Sequence, residues 1–430
     1  MWFTIQRAWV LLTIGKKEVS MRGIVCLVMI LSVTGVNADQ NWPQFRGPSA
    51  DGHAASTTVA VSWSEAENVA WKTPIHGRGW SSPVIWGDQI WMGTATEDGK
   101  EMSAVCVDRN TGKVLHDRVL FRNAEPRFCH ALNSYASPTP VIEAGRVYVH
   151  FGSYGTACLD TATGKTLWER RDLPCHHWRG PGSSPIILDN MLIVHFDGYD
   201  LQYLVALDKR TGKTIWKKDR EIDYGTDDGD QMKAYCTPIV IEVDGQQQVI
   251  SPAAKAAIAY NPRNGEEIWR VRFAQHSATA RPLFGHGLVF INTGFGKAQL
   301  HAVKPTGRGD VTDSHVVWRV TKSVPSMPSQ LLIGDLIYMI HDGVATCVEA
   351  KTGEKVWQER LSGKYSASPI FAGGHIYFLS QQGKTTVVKP GRTYQEVAVN
   401  ELDDGFMASP AVAGNALFLR TKKHLYRIEN

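Results

Sequence analysis

Short apolar stretches recur along this chain, and each ends at a polar turn that is followed by an aromatic residue. The segment 159–168 reads as an apolar run, an Asp, a Thr-Gly turn, a second apolar run and a Trp. The same order returns at 207–216, at 260–269 and at 348–357. In all four copies the polar residue precedes the tryptophan by eight positions. A repeat of this kind is typical of stacked arrays and closed rings.

Each copy predicts a strand, a tight turn and a second strand. The side chain of the Asp can accept hydrogen bonds from backbone amides of the turn, and the Gly supplies the positive φ that a tight connection needs. Weaker copies have His116 in place of the tryptophan or an insertion before Trp318. Since one hairpin cannot bury a tryptophan alone, the copies must stack on one another.

A proline opens each apolar run, which is a second recurring signal. The dipeptides are Ser82-Pro83, Ser137-Pro138, Ser184-Pro185, Thr237-Pro238, Arg281-Pro282, Met327-Pro328, Ser368-Pro369 and Ser409-Pro410. Their spacing of about 40 to 55 residues is typical of a propeller blade with four strands. Because proline cannot donate to a sheet, it indicates the start of an edge strand that faces the central channel. The pattern predicts an all-β, eight-bladed β-propeller of four-stranded antiparallel blades.

The two ends of the chain are predicted to share one blade. The unit that starts at Pro410 has no fourth strand, whereas the segment 68–71 near the N-terminus carries the expected Trp71 without a preceding turn. Pairing the two would close the ring and remove free sheet edges. The propeller is therefore placed at residues 66–430, with a seven-bladed ring plus a separate hairpin as the alternative. Residues 39–65 form a non-repeat segment, which we expect to pack across the outside of the array.

The first 38 residues are typical of a signal peptide. Basic residues precede an apolar run, 24–33, and small residues lead up to Ala38, where we expect cleavage. Either Met1 or Met21 can serve as the initiator. The apolar run is shorter than the roughly 20 residues that span a bilayer. We therefore expect a periplasmic or secreted protein with no membrane span.

Charge and cysteine usage narrow the picture further. Beyond the signal peptide the chain has 42 basic and 41 acidic residues. This near-neutral balance argues against a nucleic-acid partner. We also expect the protein to be a monomer. Cys129 and Cys175 lie in connections between repeats, where an oxidising compartment would allow a disulfide. The alternative is that both are free, buried thiols.

The connections that lead into successive proline positions should meet on one face of the ring, around the mouth of the channel. Loops held by a rigid scaffold often carry binding sites. Cationic groups at such a mouth favour an anionic ligand, although the acidic segment 223–230 could cancel their field. The candidate ligand-binding residues in these connections are His130, His176, His177, Arg179, His276 and Arg281.

The repeated unit, Asp/Asn-x-x-Thr/Asn-Gly-x-x-hydrophobic-Trp, resembles the tryptophan-docking motif of PQQ-like β-propellers. That family includes the quinoprotein alcohol dehydrogenases, BamB-like proteins and exported bacterial members of unassigned function. The resemblance implies that the repeat tryptophans wedge between blades without a catalytic role. They are Trp71, Trp168, Trp216, Trp269, Trp318 and Trp357. The dehydrogenases are similar in carrying adjacent cysteines over the quinone and a Glu, Asn and Asp set around calcium, yet this chain has no Cys-Cys pair.

These observations favour an exported, non-enzymatic propeller scaffold that binds a partner protein or a small, anionic ligand at the channel mouth. No catalytic or metal-binding residue is assigned. One alternative is a quinoprotein-type oxidoreductase that uses PQQ with calcium. Another is a glycan lyase or hydrolase that uses His and Arg on the same face as base and charge stabiliser.

Overall fold

The computed structural model describes residues 40–56 and 58–430. The predicted signal peptide, 1–38, with its cleavage site at Ala38, lies outside the described residues. The described residues form eight β-sheets, which confirms the eight-bladed propeller and rules out the seven-bladed alternative. A short 3-10 helix, Gly229–Gln231, precedes the fourth blade. Within these ranges no helix is both long enough and apolar enough to cross a membrane.

The blades are numbered 1 to 8 by their innermost strands, and the strands of each are given from the channel outwards. Blade 1 consists of Val84–Trp86, Gln89–Ala95, Glu101–Asp108 and Val114–Arg122, and blade 2 consists of Val141–Glu143, Arg146–His150, Thr156–Asp160 and Thr166–Arg170. Blade 3 consists of Ile186–Leu188, Met191–Asp197, Gln202–Asp208 and Thr214–Asp219. Blade 4 consists of Ile239–Val243, Gln246–Pro252, Ala256–Tyr260, Glu267–Arg272 and Gly309–Asp310. Blade 5 consists of Leu283–Gly285, Leu288–Asn292, Leu300–Val303 and Val316–Val320, and blade 6 consists of Leu331–Ile333, Leu336–His341, Val344–Glu349 and Lys355–Arg360. Blade 7 consists of Ile370–Ala372, His375–Leu379, Lys384–Val388 and Glu396–Glu401. Blade 8 consists of Ala411–Ala413, Ala416–Arg420, His424–Ile428 and Val69–Pro74.

Blade 4 has a fifth strand because the insertion before Trp318 reaches across to it. Gly309–Asp310 pairs in parallel with the outermost strand of blade 4, with Gly309 opposite Trp269. The insertion therefore covers the outer edge of a neighbouring blade.

The N-terminal strand completes blade 8, as predicted. Val69–Pro74 runs antiparallel to His424–Ile428, with Thr73 opposite Leu425. This pairing gives the last blade its fourth strand and closes the ring.

Burial along a blade follows from the stacking of sheets. Met191–Asp197 is buried at all seven positions, since blades lie against both of its faces. In Thr214–Asp219, on the outside, Trp216 is the only buried residue. The core of the protein therefore lies between blades, in a ring around the channel.

The repeat tryptophans contact the turn of the following blade. Trp168 donates its indole N–H to the carbonyl of Lys209 at 3.0 Å, and its ring lies against Gly212. Gly212 has φ +72°, and a Cβ there would come within 2.7 Å of that ring. The same type of indole bond to the next blade is made by Trp71, Trp216, Trp318 and Trp357. Trp269 instead donates to Gln248 in its own blade, and Gln248 donates to Pro305 O of blade 5.

Blade 7 has no tryptophan on its outermost strand, and Trp63 from the N-terminal segment fills the place. In blade 6 the ring of Trp357 packs 5.9 Å from Tyr338, the third residue of the second strand. Tyr377 is the matching residue of blade 7, and Trp63 stacks on it at 6.2 Å. Trp63 is only 3% exposed, so the N-terminal segment supplies the aromatic contact that this blade lacks.

The proline positions hold in six blades and shift in two. In six blades the innermost strand begins directly after the proline that the sequence predicted. In blade 2 it begins after Pro140, and in blade 6 it begins after Gln330. The predicted assignments to Pro138 and Pro328 were therefore each two residues early. Proline is tolerated because this strand is an edge.

Residues 42–54 of the non-repeat segment cross the channel, which corrects the expectation that the whole segment packs across the outside of the ring, although Trp63 does lie on the outer side of blade 7. Trp42 pairs with Ile85 of blade 1, while Ala54 donates to the carbonyl of Phe371 of blade 7. Between these points the chain crosses the channel, and Trp42 and Arg46 are each 1% exposed. The segment closes one end of the channel, a course that its Pro-rich and aromatic composition does not reveal.

Candidate functional site

The channel contains a cavity of about 460 Å³ that opens on the face predicted to carry the site. Its wall includes residues from all eight blades, and Phe45 of the N-terminal segment forms its floor. It is therefore a blind pocket with one mouth.

A ring of side-chain hydroxyls surrounds the lower part of this cavity. One equivalent position in each blade lies two residues before the innermost strand. At seven of the eight blade junctions, the backbone N–H at this position donates to the Ser or Thr hydroxyl at the equivalent position of the next blade, at 2.9 to 3.1 Å. The bonds run from Ser82 to Thr139, Thr139 to Ser184, Ser184 to Thr237, Arg281 to Ser329, Ser329 to Ser368, Ser368 to Ser409 and Ser409 to Ser82. The ring is interrupted only where Arg281 replaces a hydroxyl residue.

Arg281 lies beneath the cavity instead of on its wall. It is 2% exposed, and its guanidinium donates to the carbonyls of Pro238 and Phe45. Arg46 lies near it and donates to the carbonyls of Asp51, Gln330 and Pro369. Burial lowers the pKa of Arg281 to about 9 and that of Arg46 to about 10. The predicted place of Arg281 on the rim is thus corrected, since its contacts hold the floor of the channel together.

Three charged side chains line the cavity: Arg179, Asp230 and Lys233. Arg179 Nη2 lies 3.2 Å from Asp230 Oδ2, and Lys233 Nζ lies 2.7 Å from Asp230 Oδ1. Burial opposes ionisation of Asp230, but hydrogen bonds from Lys233 and Arg179 hold its pKa below the ordinary value. One carboxylate thus faces two cations, so the wall carries one net positive charge.

His130 and His276 also line the cavity, from the connections before blades 2 and 5. Burial, with Arg179 and Arg78 nearby, lowers the pKa of His130. Burial, with Lys233 nearby, lowers that of His276. His130 Nδ1 accepts the backbone N–H of Leu132 at 3.1 Å, so its Nε2 carries the proton of the neutral ring and is a donor. His276 Nδ1 lies 3.0 Å from Ser277 Oγ, which leaves Nε2 of that ring for a ligand.

His176 and His177 do not line the cavity, although the sequence placed them beside Arg179. His177 is 8% exposed, and its Nε2 accepts the backbone N–H of Ser153 at 2.9 Å. Burial lowers its pKa to about 4. His176 packs against Trp178 and Tyr199 outside the cavity. The predicted convergence therefore holds for His130, Arg179 and His276.

Cys129 and Cys175 are free thiols, the second of the two alternatives. Cys129 Sγ lies near the carbonyl of Arg179, and Cys175 Sγ lies 3.7 Å from His177 Nδ1. Burial raises the pKa of Cys129 to about 11 and that of Cys175 well above its ordinary value. Neither thiol is poised for chemistry.

The acidic segment 223–230 forms a turn. Asp228 accepts the backbone N–H of Asp230 and caps the 3-10 helix. Across residues 40–56 and 58–430, no group of three or more His, Cys, Asp or Glu side chains is arranged to hold a metal ion.

A triad-like set of side chains lies in the core, away from the cavity. Ser251 Oγ is 2.9 Å from His195 Nε2, and His195 Nδ1 is 3.9 Å from Asp197. Arg220 donates to both Ser251 and Asp197. All four side chains are buried, so a substrate has no route to them and the network stabilises the contact between blades 3 and 4.

Sequence reasoning missed several residues of the cavity. Trp80, Lys233, Tyr235, Phe295 and Phe45 line it. Lys233 precedes the innermost-strand position Thr237 by four residues, so its place in a connection was readable from the repeats. Phe45 was not, because it comes from the segment that crosses the channel.

Comparison with known proteins fits this architecture. The model of the family described as outer membrane protein assembly factor BamB matches residues 105–234 and 200–430. This chain belongs to the BamB family. A curated member, outer membrane protein assembly factor BamB of Legionella pneumophila (strain Paris), is 26% identical over 207 residues, which are 47% of this chain and 49% of the relative. The match thus spans about half of that relative's length.

Solved structures share the fold of this chain. BamB from Moraxella catarrhalis superposes with a TM-score of 0.60 at 13% identity, covering 84% of this chain and 99% of that one. A europium-containing methanol dehydrogenase superposes with a TM-score of 0.64 at 11% identity, covering 89% of each chain. At these identities the likeness concerns the fold.

The sequence left a quinoprotein-type oxidoreductase with PQQ and calcium as an alternative, and the residues present do not fit these groups. The carboxylate that lines the cavity, Asp230, is held between Arg179 and Lys233. Cys129 lies beside the mouth but has no adjacent cysteine. We therefore derive no reaction through a quinone.

Proposed function

We propose that this chain is an exported, non-enzymatic binding protein that holds a small anionic ligand in the channel cavity. The observation that carries the proposal is the blind cavity whose wall has two cations for one carboxylate. A cleft lined by one sign of charge concentrates ligands of the opposite sign.

Arg179 is the group best placed to meet the anion. Its Nε and Nη2 face Asp230, while its side chain is 39% exposed, so Nη1 can approach a ligand carboxylate. Lys233 is 1% exposed and is held by Asp230 and Ser277, so it contributes charge rather than a direct contact.

The remainder of the wall suits a small polar molecule with an apolar body. Trp80, Tyr235 and Phe295 supply ring faces, while neutral His130 and His276 supply hydrogen bonds. Ligand pockets commonly combine an apolar lining with a few placed polar groups. An acidic sugar has both kinds of surface.

The test is a calorimetric titration with galacturonate and mannuronate against the neutral sugars galactose and mannose. We expect the acidic sugars to bind the wild type better than the neutral ones. Arg179→Gln should weaken acidic-sugar binding roughly tenfold or more, the effect of losing one charged hydrogen bond. Arg210→Gln, in the turn between the third and fourth strands of blade 3, is the matched control and should bind normally. Equal binding of neutral and acidic sugars, or no effect of Arg179→Gln, would contradict the proposal.

A glycan lyase is a second candidate, because neutral His276 and cationic Arg179 line the same cavity. A neutral imidazole can take a proton and a guanidinium can balance the charge that develops on a uronate. Incubation with polygalacturonate and polymannuronate separates the two functions. Release of unsaturated ends that is lost in His276→Gln supports the lyase, whereas binding without cleavage supports the scaffold.

The family's description as an assembly factor makes a partner protein the other candidate occupant of this face. A partner would bind the rim instead of entering the cavity. Its binding would therefore survive Arg179→Gln, which distinguishes it from the small anionic ligand.

A further inference from the structure

Three aromatic side chains form an exposed row beside the channel mouth. They are Phe128 from the connection before blade 2, Trp178 from the connection before blade 3, and Tyr199 from a turn of blade 3, and they are 59%, 36% and 37% exposed. The ring centroids of Phe128 and Trp178 are 6.1 Å apart, and those of Trp178 and Tyr199 are 5.2 Å apart. We call this row the aromatic platform.

The platform is held in place by contacts beneath and beside it. Tyr199 N–H donates to the carbonyl of His176 at 2.7 Å, and Gly229 lies so close to the Tyr199 ring that a Cβ there would come within 2.5 Å of it. Arg127 N–H donates to Tyr154 Oη and fixes the residue before Phe128. The three rings are therefore exposed without being loose.

Trp178 has a backbone conformation that is costly for a non-glycine residue. Its φ is +59°, and strain of this kind persists only where the surrounding structure imposes it and often accompanies function. Here it places the indole ring so that 36% of the residue stays exposed beside the channel mouth.

The platform continues directly into the cavity. Arg179 follows Trp178 in the chain, and His130 lies two residues beyond Phe128; both line the cavity. His130 N–H and the Asn133 side chain each donate to the carbonyl of Arg179, which ties the two connections together. A molecule that leaves the blind cavity on this side passes over the three rings.

We propose that the aromatic platform is a second subsite, on which the sugar rings of an acidic oligosaccharide stack while its terminal acid group lies beside Arg179. The inference rests on the proposed function of the cavity. Sugar rings present flat C–H faces that pack on exposed aromatic rings. His130 and His176 lie beside rings of the platform and suit hydroxyls, and Asp200 accepts the backbone N–H of His176 at 2.7 Å. The cavity of about 460 Å³ with Phe45 as its floor admits the end of a chain and excludes a folded protein surface.

The test compares the mono-, di- and tetrasaccharides of galacturonate and of mannuronate by calorimetry. The wild type should bind the tetrasaccharide of at least one series about tenfold more tightly than its monosaccharide, the gain expected from stacking on aromatic rings. Trp178→Gly should remove this gain and leave monosaccharide affinity unchanged. Glycine accepts the positive φ of Trp178 without strain, so this variant should stay folded, which circular dichroism checks. Ile215→Ala, an exposed apolar change on the outermost strand of blade 3, is the control.

The outcomes separate this inference from the function on which it rests. Arg179-dependent binding of the monosaccharide with no gain for longer chains overturns the platform and leaves the proposed function standing. Failure of the wild type to bind any of these acidic sugars overturns both. Extended peptides rich in aromatic residues are titrated in parallel. Trp178-dependent binding of those peptides, without a gain for oligosaccharides, would assign the platform to a protein partner and contradict the proposal.

Discussion

The tryptophans of the outermost strands, which we call the girdle, make the same contact to the next blade at five of the eight blades. The channel, in contrast, differs between its two ends and along its wall. In the girdle, Trp168 and Trp318 make the same indole bond to the following turn. In the channel, one hydroxyl position is replaced by Arg281, one end is closed by Phe45, and the mouth is built from connections of unequal length. Repeated contacts determine the architecture, whereas the departures from the repeat lie at the wall, the floor and the mouth of the cavity.

Removing the closing strand should break the girdle most severely. Deletion of Val69–Pro74 takes away the partner of His424–Ile428, leaves the outer edge of that strand open and breaks the closure of the ring. We expect the protein to lose its cooperative melting transition, measured by circular dichroism. The control is a variant in which the segment is replaced by another strand with the same alternation of apolar and polar residues. This control should keep a cooperative melting transition. A deleted chain that melts like the wild type would contradict closure by this strand.

Truncating one girdle residue should cost less but remain large. Trp269→Ala removes a fully buried indole and the bond to Gln248, which we expect to lower the free energy of unfolding by about 3 to 5 kcal/mol. Trp269→Phe keeps most of the volume, and its loss should be about 1 to 3 kcal/mol, because Gln248 Oε1 loses its donor. Urea titration measures both. Equal losses for the two variants would show that packing volume is not what Trp269 contributes.

Removing Arg281 tests the channel floor in the same way that truncating Trp269 tests the girdle. Arg281→Ala leaves the buried carbonyls of Pro238 and Phe45 without these donors, and we expect a loss of about 2 to 4 kcal/mol. Limited proteolysis should then cleave within residues 40–53, because the segment that crosses the channel loses an anchor. Arg210→Gln serves again as a control, and cleavage elsewhere first would argue that Arg281 does not hold the floor.

Buried histidines should make stability depend on pH. Burial holds the pKa of His177 at about 4 and that of His301 at about 4, whereas an unfolded histidine titrates near about 6.5. As the pH falls, the unfolded chain takes up protons first, so stability is full above about pH 6.5 and declines towards pH 4. Each such histidine contributes a loss of roughly 3 kcal/mol at pH 4. Melting temperatures across this range should fall with pH, and less steeply in His177→Asn. A melting temperature that rises on acidification would contradict the assignment.

The girdle and the ring closure were predictable because they depend on local, repeated patterns. The eight-residue spacing to Trp168 and its equivalents locates hairpins, and Trp71 without a turn identifies the closing strand. The shift of two residues at Pro140 and Gln330 was hidden because nearby prolines, Pro138 and Pro328, mimic the pattern. Aligned on the innermost strands, the eight positions show hydroxyl residues with Arg281 as the sole exception, a signal that was present in the sequence.

The site was predictable only in part, because the direction of a side chain in a connection depends on tertiary contacts. His130, Arg179 and His276 line the cavity, but His177 turns inward to accept the N–H of Ser153. Phe45 and Trp63 belong to a segment without a repeat, and nothing local indicates that one reaches the channel and the other replaces a missing girdle residue. Long-range placement of irregular segments is what the repeat cannot supply.

Hydrogen exchange with mass spectrometry tests the central claim, that an anionic ligand binds in the blind cavity, most directly. The measurement compares the protein with and without saturating galacturonate or mannuronate. We expect added protection in the connections 128–137, 176–184, 229–237 and 274–279, and none in the turns that receive the girdle tryptophans. Protection confined to those turns, or to the opposite end of the channel around Arg46, would contradict the account.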